Sequence, residues 1–319
     1  MERQQTVRSP KDPWIDYDIV FKKVREKAED SIMKLVKYYR NQLDQNSVHV
    51  PSIIGPYGAG KTTLLEHLQA YLFKNGIPAI IVNFDELIKN VIKNVKNEIS
   101  QTELANQIIE EVSTIVSNIS SSNDQGYLSR FIRIGKDNFS DFKRILSNSD
   151  VVVVLVDEVE EGWRKVKEKV PSETSPLREL YERVIRKVGN QKGNKYYIFA
   201  FSYGPTSSFN EFFAQAMAWR TDVILIPPLS FSVMLDLVKQ KLHLNDDKMA
   251  YEVTKFLWHK TKGKVGLFLN LLNTEGDRLK ELAEMIQEPS KKAEDIIKVL
   301  EYFSLYKGTS KVSKFSNPN

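Results

Sequence analysis

Residues 48–63 read VHVPSIIGPYGAGKTT. The segment 48–54 is short, β-branched and mostly apolar, which predicts a buried strand. Residues 55–62 follow the spacing Gly-x-x-x-x-Gly-Lys-Ser/Thr, in which glycines let successive backbone N–H groups turn toward bound phosphates. Residues 62–73 place leucines on one face of a following helix. The order strand, glycine loop and helix therefore predicts a site for nucleotide phosphates.

The residue types in this loop assign a role to each part of it. We expect the Lys61 ammonium to reach the β and γ oxygens of ATP, and the Thr62 hydroxyl to complete the ligand shell of a Mg²⁺ ion. ATP and Mg²⁺ are the predicted ligands. The predicted nucleotide-binding residues are Gly55, Pro56, Tyr57, Gly58, Ala59, Gly60, Lys61, Thr62 and Thr63.

A second motif ends the run VVVVLVDE at residues 151–158. A continuous apolar run is typical of a strand that is buried on both faces of a parallel sheet. Carboxylates at the C-terminal end of such a strand lie where open α/β sheets bind ligands. We expect Asp157 to hold Mg²⁺ through water, and Glu158 to orient and deprotonate an attacking water.

The two motifs resemble the Walker A and Walker B motifs of P-loop NTPases, and the Asp-Glu pair resembles their additional-strand branch. Over roughly residues 15–285 the order of elements is similar to that of AAA+ ATPases. The resemblance implies an α/β fold: a five-stranded, mostly parallel P-loop sheet sandwiched by helices, then a small all-α lid domain. The expected divisions are a flexible arm at 1–14, a nucleotide-binding domain at 15–228 with a helical insertion at about 86–147, a lid at 229–306 and a basic disordered tail at 307–319.

Hydrophobic periodicity and turn residues predict the individual elements. The predicted strands are 48–54, 79–83, 151–156, 196–201 and 223–226. The predicted helices are 15–42, 62–73, 87–99, 104–119, 139–146, 177–188, 211–219, 233–242, 247–261, 267–285 and 291–306.

The resemblance to AAA+ ATPases implies further site residues. A polar residue at the tip of the fourth of these strands would sense the γ-phosphate, and Ser202 or Tyr203 is the candidate; a serine that only faces a turn is the alternative. Arg220 stands where the family places an arginine finger, which would act on a neighbouring subunit of an oligomer; a side chain that offsets its own helix dipole is the alternative. The lid departs from the family pattern, because Gly266 stands where arginine is usual and Lys264 is the nearest cation.

Composition excludes several classes of protein. The chain has no cysteine and four histidines without metal-ligand spacing, which excludes a disulfide scaffold and a thiolate zinc site. Its longest fully apolar run, 151–156, is far shorter than the roughly 20 residues of a membrane span. The N-terminus lacks the apolar core of a secretory signal. These features lead us to expect a soluble cytoplasmic protein.

The formal charge, 46 − 41 = +5, permits an anionic partner without requiring one. A basic run beside Trp163, with the basic tail, makes DNA a plausible partner, and a solvated helix face is the alternative. The insertion is an enlarged helical layer or a docking surface for a protein partner. The run consists of Arg164, Lys165, Lys167 and Lys169.

Three functions remain open from the sequence. The first is a DNA-associated AAA+ ATPase, and the segments DEVE (157–160) and PPLS (227–230) are most similar to the initiator, or origin-recognition, and transposition-regulator clades. The second is a nucleotide-gated protein-interaction switch with little turnover and no direct DNA binding. A small-molecule kinase is disfavoured, because such enzymes carry their substrate lid inside the core and not after the last strand.

Overall fold

The computed structural model describes residues 13–44, 48–93, 99–167, 191–204 and 221–287, together with Glu179, Glu182 and Arg183. These residues belong to two compact units, one of residues 21–227 and the other of residues 1–20 with 228–319. Fully buried apolar side chains occur in both units, so each has a hydrophobic core of its own.

A sheet of six strands forms the centre of the larger unit, in the order β2-β3-β5-β1-β6 with β4 paired to β5. All pairs along this order are parallel, and only the β4–β5 pair is antiparallel. The fold class is therefore α/β, with helices connecting parallel strands. The strands are β1 (Val50–Ile54), β2 (Ala79–Asn83), β3 (Val151–Asp157), β4 (Gln191–Lys192), β5 (Lys195–Tyr203) and β6 (Thr221–Leu225).

The central position of β3 and β5 follows from their sequences. Every residue of β3 is buried, and so are the last seven residues of β5. Strands covered by helices on both faces need such unbroken apolar runs. In β6, at the edge of the sheet, only Thr221 and Ile224 are buried. One strand, β5, thus separates β1, which leads into the glycine loop, from β3, which ends at Asp157.

The helices between these strands belong to the larger unit, and the helix before β1 belongs to it from Phe21 onward. The first, α1, is broken at Phe21, where φ is −112° and ψ is 17°, and the two units divide at the same residue. A single 3₁₀ turn (Lys136–Asn138) precedes the last helix before β3. The helices are α1 (Pro13–Tyr39), α2 (Lys61–Lys74), α3 (Phe84–Ile92), α4 (Gln101–Ser121), α5 (Gln125–Phe131), α6 (Phe139–Asn148) and α7 (Val159–Lys167).

Two close contacts fix the helices that border the sheet. Gln69 of α2 is fully buried and donates to Ala79 O at 2.8 Å and to Phe131 O at 2.7 Å. Its own oxygen accepts from Arg133 N at 2.7 Å, so this side chain ties α2 to β2 and to the end of α5. On α7, a Cβ at Gly162 would lie 2.4 Å from the Phe84 ring, so α7 packs directly on the start of α3.

The smaller unit is helical in its described part. Its helices are α8 (Phe231–Leu242), α9 (Asp247–Thr261), α10 (Val265–Thr274) and α11 (Gly276–Gln287). Side chains cap two of these helices: the Ser230 side chain accepts from Val233 N, and the Asp246 side chain accepts from Lys248 N and Met249 N. Both side chains satisfy backbone donors that a helix start leaves unpaired.

Several predicted elements differ from the structure. The predicted helix 267–285 is two helices, because Glu275 leaves helical geometry (φ −114°, ψ 18°) and Gly276 starts α11. The helix α5 was not predicted, since seven residues are too few for a periodic signal. The predicted arm 1–14 is too long, because Pro13 and Trp14 already belong to α1.

Other predictions fall on residues that the structure does not describe. These are the arm 1–12, most of the helix 177–188, the helices 211–219 and 291–306, and the tail 307–319. Within the described part of the chain, no helix combines the length and the apolar composition that a membrane span requires.

Candidate nucleotide site

The loop at residues 55–62, called the phosphate loop below, has a backbone that requires glycine. Gly58 and Gly60 have φ of 78° and 91°, in the left-handed region. A Cβ at Gly55 would lie 2.9 Å from Ala59 Cβ, so that position has no room for a side chain. Gly60 is also the N-cap of α2, so the loop delivers the chain directly to a helix N-terminus, where backbone N–H groups favour an anion.

Lys61 is held inside this loop. Its Nζ donates to Gly55 O at 3.0 Å and lies 3.8 Å from Glu160 Oε1. Its side chain is only 10% exposed. The ammonium group therefore lies beside the loop backbone, where phosphate oxygens would bind, and not in open solvent.

Asp157 joins the phosphate loop to the end of β3. Its Oδ2 accepts from Thr62 Oγ1 at 2.6 Å, and its Oδ1 accepts from Ser202 Oγ at 2.5 Å and from Glu158 N at 3.0 Å. Asp157 is 7% exposed and Ser202 is fully buried. These contacts bring Asp157 together with three other residues that the sequence predicted for the site.

Ser202 lies within β5 and not in a turn. The strand was predicted to end at residue 201, but it continues to Tyr203 and both Ser202 and Tyr203 are buried. The turn-facing alternative for Ser202 is therefore wrong. Its hydroxyl fixes the orientation of the Asp157 carboxylate, and the hydrogen bond to Asp157 is what the residue does in this structure.

Glu158 has an unusual backbone and a specific partner. Its φ is 54°, in the left-handed region that a residue with a side chain rarely adopts. Its Oε2 accepts from Asn83 Nδ2 at 2.5 Å. The strained turn directs the exposed Glu158 side chain toward the end of β2 while the backbone N–H stays on Asp157.

Asn83 is a site residue that the sequence prediction missed. It is the last residue of β2 and pairs in register with Asp157. Its side-chain oxygen also caps α3 by accepting from Glu86 N at 3.1 Å. A signal was available, because Asn83 is the only polar residue of the AIIVN strand and follows four apolar ones, as Asp157 follows six.

The site thus occupies one edge of the sheet. Asn83 and Asp157 are the last residues of β2 and β3, Ser202 is the second-last residue of β5, and the phosphate loop follows β1, the next strand in the sheet. The carboxyl ends of parallel strands are where open α/β sheets bind ligands. Strand order therefore assembles side chains from four distant segments of the chain.

The charges at this edge suit a divalent cation. Asp157, Glu158 and Glu160 are carboxylates at or near the end of β3, and Lys61 is the ammonium group beside them. Burial raises the pKa of Glu66, on α2 one turn after Thr62; the nearby Arg133 opposes this and the Asp157 charge adds to it. A cation bound beside Asp157 would relieve this concentration of negative charge.

The oxygens at this edge match the ligands that Mg²⁺ takes in proteins. Among the described residues, no group of three or more His, Cys, Asp or Glu side chains could hold a metal by itself. Mg²⁺ ordinarily takes one or two protein oxygens and completes its shell with water and substrate phosphates. The Thr62 hydroxyl and the Asp157 carboxylate, in contact at 2.6 Å, are such oxygens, so the residues present fit that ion.

The remaining predicted residues lie in varied settings. Pro56 O accepts from Ala59 N at 3.0 Å inside the loop, Tyr57 is 70% exposed at its surface, and Thr63 is half-buried in α2. In the smaller unit, Lys264 is the N-cap of α10 and Gly266 lies in its first turn. Arg220 lies outside the described residues.

The basic run after β3 is only partly described. Lys165 forms an ion pair with Asp85, which also pairs with Lys89 at 2.6 Å. The Lys165 ammonium is therefore paired with a carboxylate of α3. The side chains of Arg164 and Lys167, and the whole of Lys169, lie outside the described residues.

No model of a protein family matches the chain, and no curated protein matches it. Among solved structures it is similar to a Walker-type ATPase of Pyrococcus abyssi, with 15% identity over 89% of this chain and 76% of that one and a TM-score of 0.41. It is also similar to a RuvB variant of Thermotoga maritima (12%, 88% and 70%, TM-score 0.40) and to the RuvB Holliday junction branch migration motor of Thermotoga maritima (11%, 90% and 70%, TM-score 0.40). Because these identities are low, the chemistry of the site is inferred from its own residues and distances alone.

Proposed function

We propose that the chain binds ATP in the phosphate loop and hydrolyses it with Mg²⁺. The observation that carries this proposal is the 2.6 Å contact between Thr62 Oγ1 and Asp157 Oδ2. It brings the hydroxyl that follows a phosphate-loop lysine against a carboxylate 95 residues away in the chain. A glycine turn that only links two core elements has no need of that carboxylate.

The roles of the side chains follow from their positions. The backbone amides of the phosphate loop and Lys61 bind the β and γ phosphates, and Thr62 and Asp157 hold Mg²⁺. When bound there, Mg²⁺ neutralises charge on the phosphate oxygens. Glu158 is the exposed carboxylate next to Asp157, and it orients the attacking water and accepts its proton once it leaves Asn83.

The test compares turnover with nucleotide binding. We expect Lys61→Ala to lose ATP affinity, and Glu158→Gln to retain ATP affinity while phosphate release falls by about 100-fold or more. The control is Glu86→Gln, which makes the same change at an exposed glutamate paired to Arg130 at 3.1 Å. Equal turnover in wild type and Glu158→Gln would refute hydrolysis by this site.

A finer part of the proposal is assembly through Arg220, which rests on the sequence resemblance alone. In an oligomer with sites between subunits, Arg220 would act on the nucleotide of a neighbour. We expect Lys61→Ala and Arg220→Ala to be inactive separately and to regain activity when mixed. Mixtures that stay inactive while both variants still assemble would count against an arginine supplied by the neighbour.

DNA association of initiator, loader or transposition-regulator type is a second finer proposal. The charge of +5 and the basic residues near Trp163 support it, although Lys165 is already paired to Asp85. We expect affinity for duplex DNA in ATP and Mg²⁺ to fall steeply with salt. Absence of binding at low salt would remove this part and leave the ATPase proposal intact.

Two observations favour a second candidate function, a nucleotide-gated interaction switch with little turnover. The Glu158 carboxylate is engaged by Asn83, and Gly266 leaves the lid without the usual arginine. The turnover assay separates the two candidates. Nucleotide binding without hydrolysis in the wild type would select the switch.

A further inference from the structure

Glu160, in the first turn of α7, lies beside the phosphate-loop lysine. Its Oε1 is 3.8 Å from Lys61 Nζ, and the two side chains are 22% and 10% exposed. The pair joins residues that belong to two different motifs. Because β5 lies between β3 and β1, the Glu160 side chain reaches over the end of β5 to approach Lys61.

The end of β5 is shaped to admit this carboxylate. Gly204 directly follows β5, and a Cβ at that position would lie 2.6 Å from Glu160 Oε1 and 3.2 Å from Glu160 Cδ. Any side chain at residue 204 would therefore displace the carboxylate. The site for Glu160 is a space left by a glycine, and not an accidental surface contact.

Among the residues that the structure describes, the second oxygen of this carboxylate has no hydrogen-bond partner. Glu160 Oε2 is shielded from solvent and accepts no hydrogen bond from any described residue. Buried carboxylates need paired charge and hydrogen bonds, because burial removes the water that would otherwise stabilise them. Lys61 is the cation that the described structure supplies to Glu160.

Nucleotide binding changes this balance. Phosphate oxygens would draw the Lys61 ammonium toward themselves and away from Glu160. Drawing one partner away from a partly buried ion pair is unfavourable, because it leaves the other charge with less compensation. Glu160 therefore lowers the affinity of Lys61 for phosphate groups.

We propose that Glu160 competes with nucleotide phosphates for Lys61, and so weakens nucleotide binding and speeds release of the product ADP. This inference rests on the proposed nucleotide site and adds a regulatory residue to it. As ADP leaves, Lys61 returns to Glu160 and the ion pair replaces the lost phosphate contact. The residue sets the occupancy and the exchange rate of the site.

The first experiment measures ADP binding by calorimetry in EDTA, and release of a fluorescent ADP analogue by stopped flow. Glu160→Gln keeps the shape and removes the charge, and we expect its Kd for ADP to be at least about tenfold lower than that of wild type, with slower release. Glu160→Asp, which withdraws the carboxylate, should fall between the two. Glu86→Gln is the matched control and should bind as wild type does. Unchanged or weaker binding by Glu160→Gln would overturn the proposal.

A second experiment tests whether Glu160 acts through Lys61. In a Lys61→Met background, the affinity gain from Glu160→Gln should largely disappear, because no lysine remains to compete for. A gain as large as in the Lys61 background would mean that the carboxylate repels phosphate directly, and would refute competition. Failure of the wild type itself to bind ADP would instead overturn the proposed function, so the two failures are distinguishable.

Discussion

Replacing Asp157 by asparagine should abolish Mg²⁺-dependent stabilisation by nucleotide while leaving the free protein folded. Asparagine has nearly the same shape as aspartate. Its oxygen can accept from Ser202 Oγ and Glu158 N, as Asp157 Oδ1 does. Its NH₂ group can donate to Thr62 Oγ1, because a hydroxyl both donates and accepts. All three contacts persist, so we expect the free energy of unfolding without ligand to stay within about 1 kcal/mol of wild type.

Asp157→Asn should change the free energy of unfolding much more when nucleotide and Mg²⁺ are present. At a nucleotide concentration 100 times Kd, binding stabilises the wild type by about 2.7 kcal/mol. For a unit of roughly 200 residues, this raises Tm by about 5–11 °C. If loss of the Asp157 charge weakens Mg²⁺–nucleotide binding a hundredfold, the same concentration gives about 0.4 kcal/mol and a shift of about 1 °C.

The assay is thermal unfolding of both proteins with ATP, in Mg²⁺ and in EDTA. Asp150→Asn, at the exposed opposite end of β3, is the matched control and should shift as wild type does. The reasoning is refuted if Asp157→Asn keeps the Mg²⁺-dependent shift. It is also refuted if the free variant unfolds several degrees lower, since Asp157 would then be a structural residue.

Three further predictions concern the framework around the site. Gln69→Leu leaves Phe131 O and Arg133 N without their partner, so urea unfolding should show a loss of about 2–5 kcal/mol; a loss below 1 kcal/mol would contradict this. Gly162→Ala should cost about 1–3 kcal/mol in the same measurement, because its Cβ meets a backbone and a ring on α3 that must move. Burial raises the pKa of Glu66 in the folded protein above its ordinary value of 4.5. The protonated Glu66 side chain therefore favours the folded state below pH 4.5, and this contribution to the free energy of unfolding is lost as the pH rises through the pKa of the folded protein. The stability gain of Glu66→Gln over wild type should therefore grow between pH 4 and pH 7, and a pH-independent difference would contradict it.

The sheet was largely predictable from sequence because its signals are local. The strand 79–83 was predicted with its observed bounds, and the run 151–156 differs only by Asp157. Unbroken apolar runs between turn residues are sufficient for strands that are buried on both faces. The missed helix α5 and the break at Glu275 have weaker signals, because one is seven residues long and the other depends on a glycine within a periodic pattern.

The site was predictable only where its residues belong to a contiguous motif. The phosphate loop, Asp157 and Glu158 carry their spacing in the sequence. Asn83 and Glu160 do not, because their relation to the site depends on strand order and on which face of a helix turn they occupy. Each also has an ordinary alternative, Asn83 as a helix cap and Glu160 as a charged surface residue.

Strand order also explains why residues 202 and 204, at the end of the middle strand β5 and directly after it, are small. Neighbouring strands lie about 4.8 Å apart, so β1 and β3, with β5 between them, are separated by roughly 10 Å. Thr62 can contact Asp157 only by crossing the end of β5, and a large side chain at residue 202 would fill the gap. Ser202 instead binds Asp157 through its hydroxyl, and Gly204, which follows Tyr203 at the end of β5, leaves room for the carboxylate that approaches Lys61. The two contacts that join the phosphate loop to the end of β3 therefore depend on the size of side chains on a strand that carries neither motif.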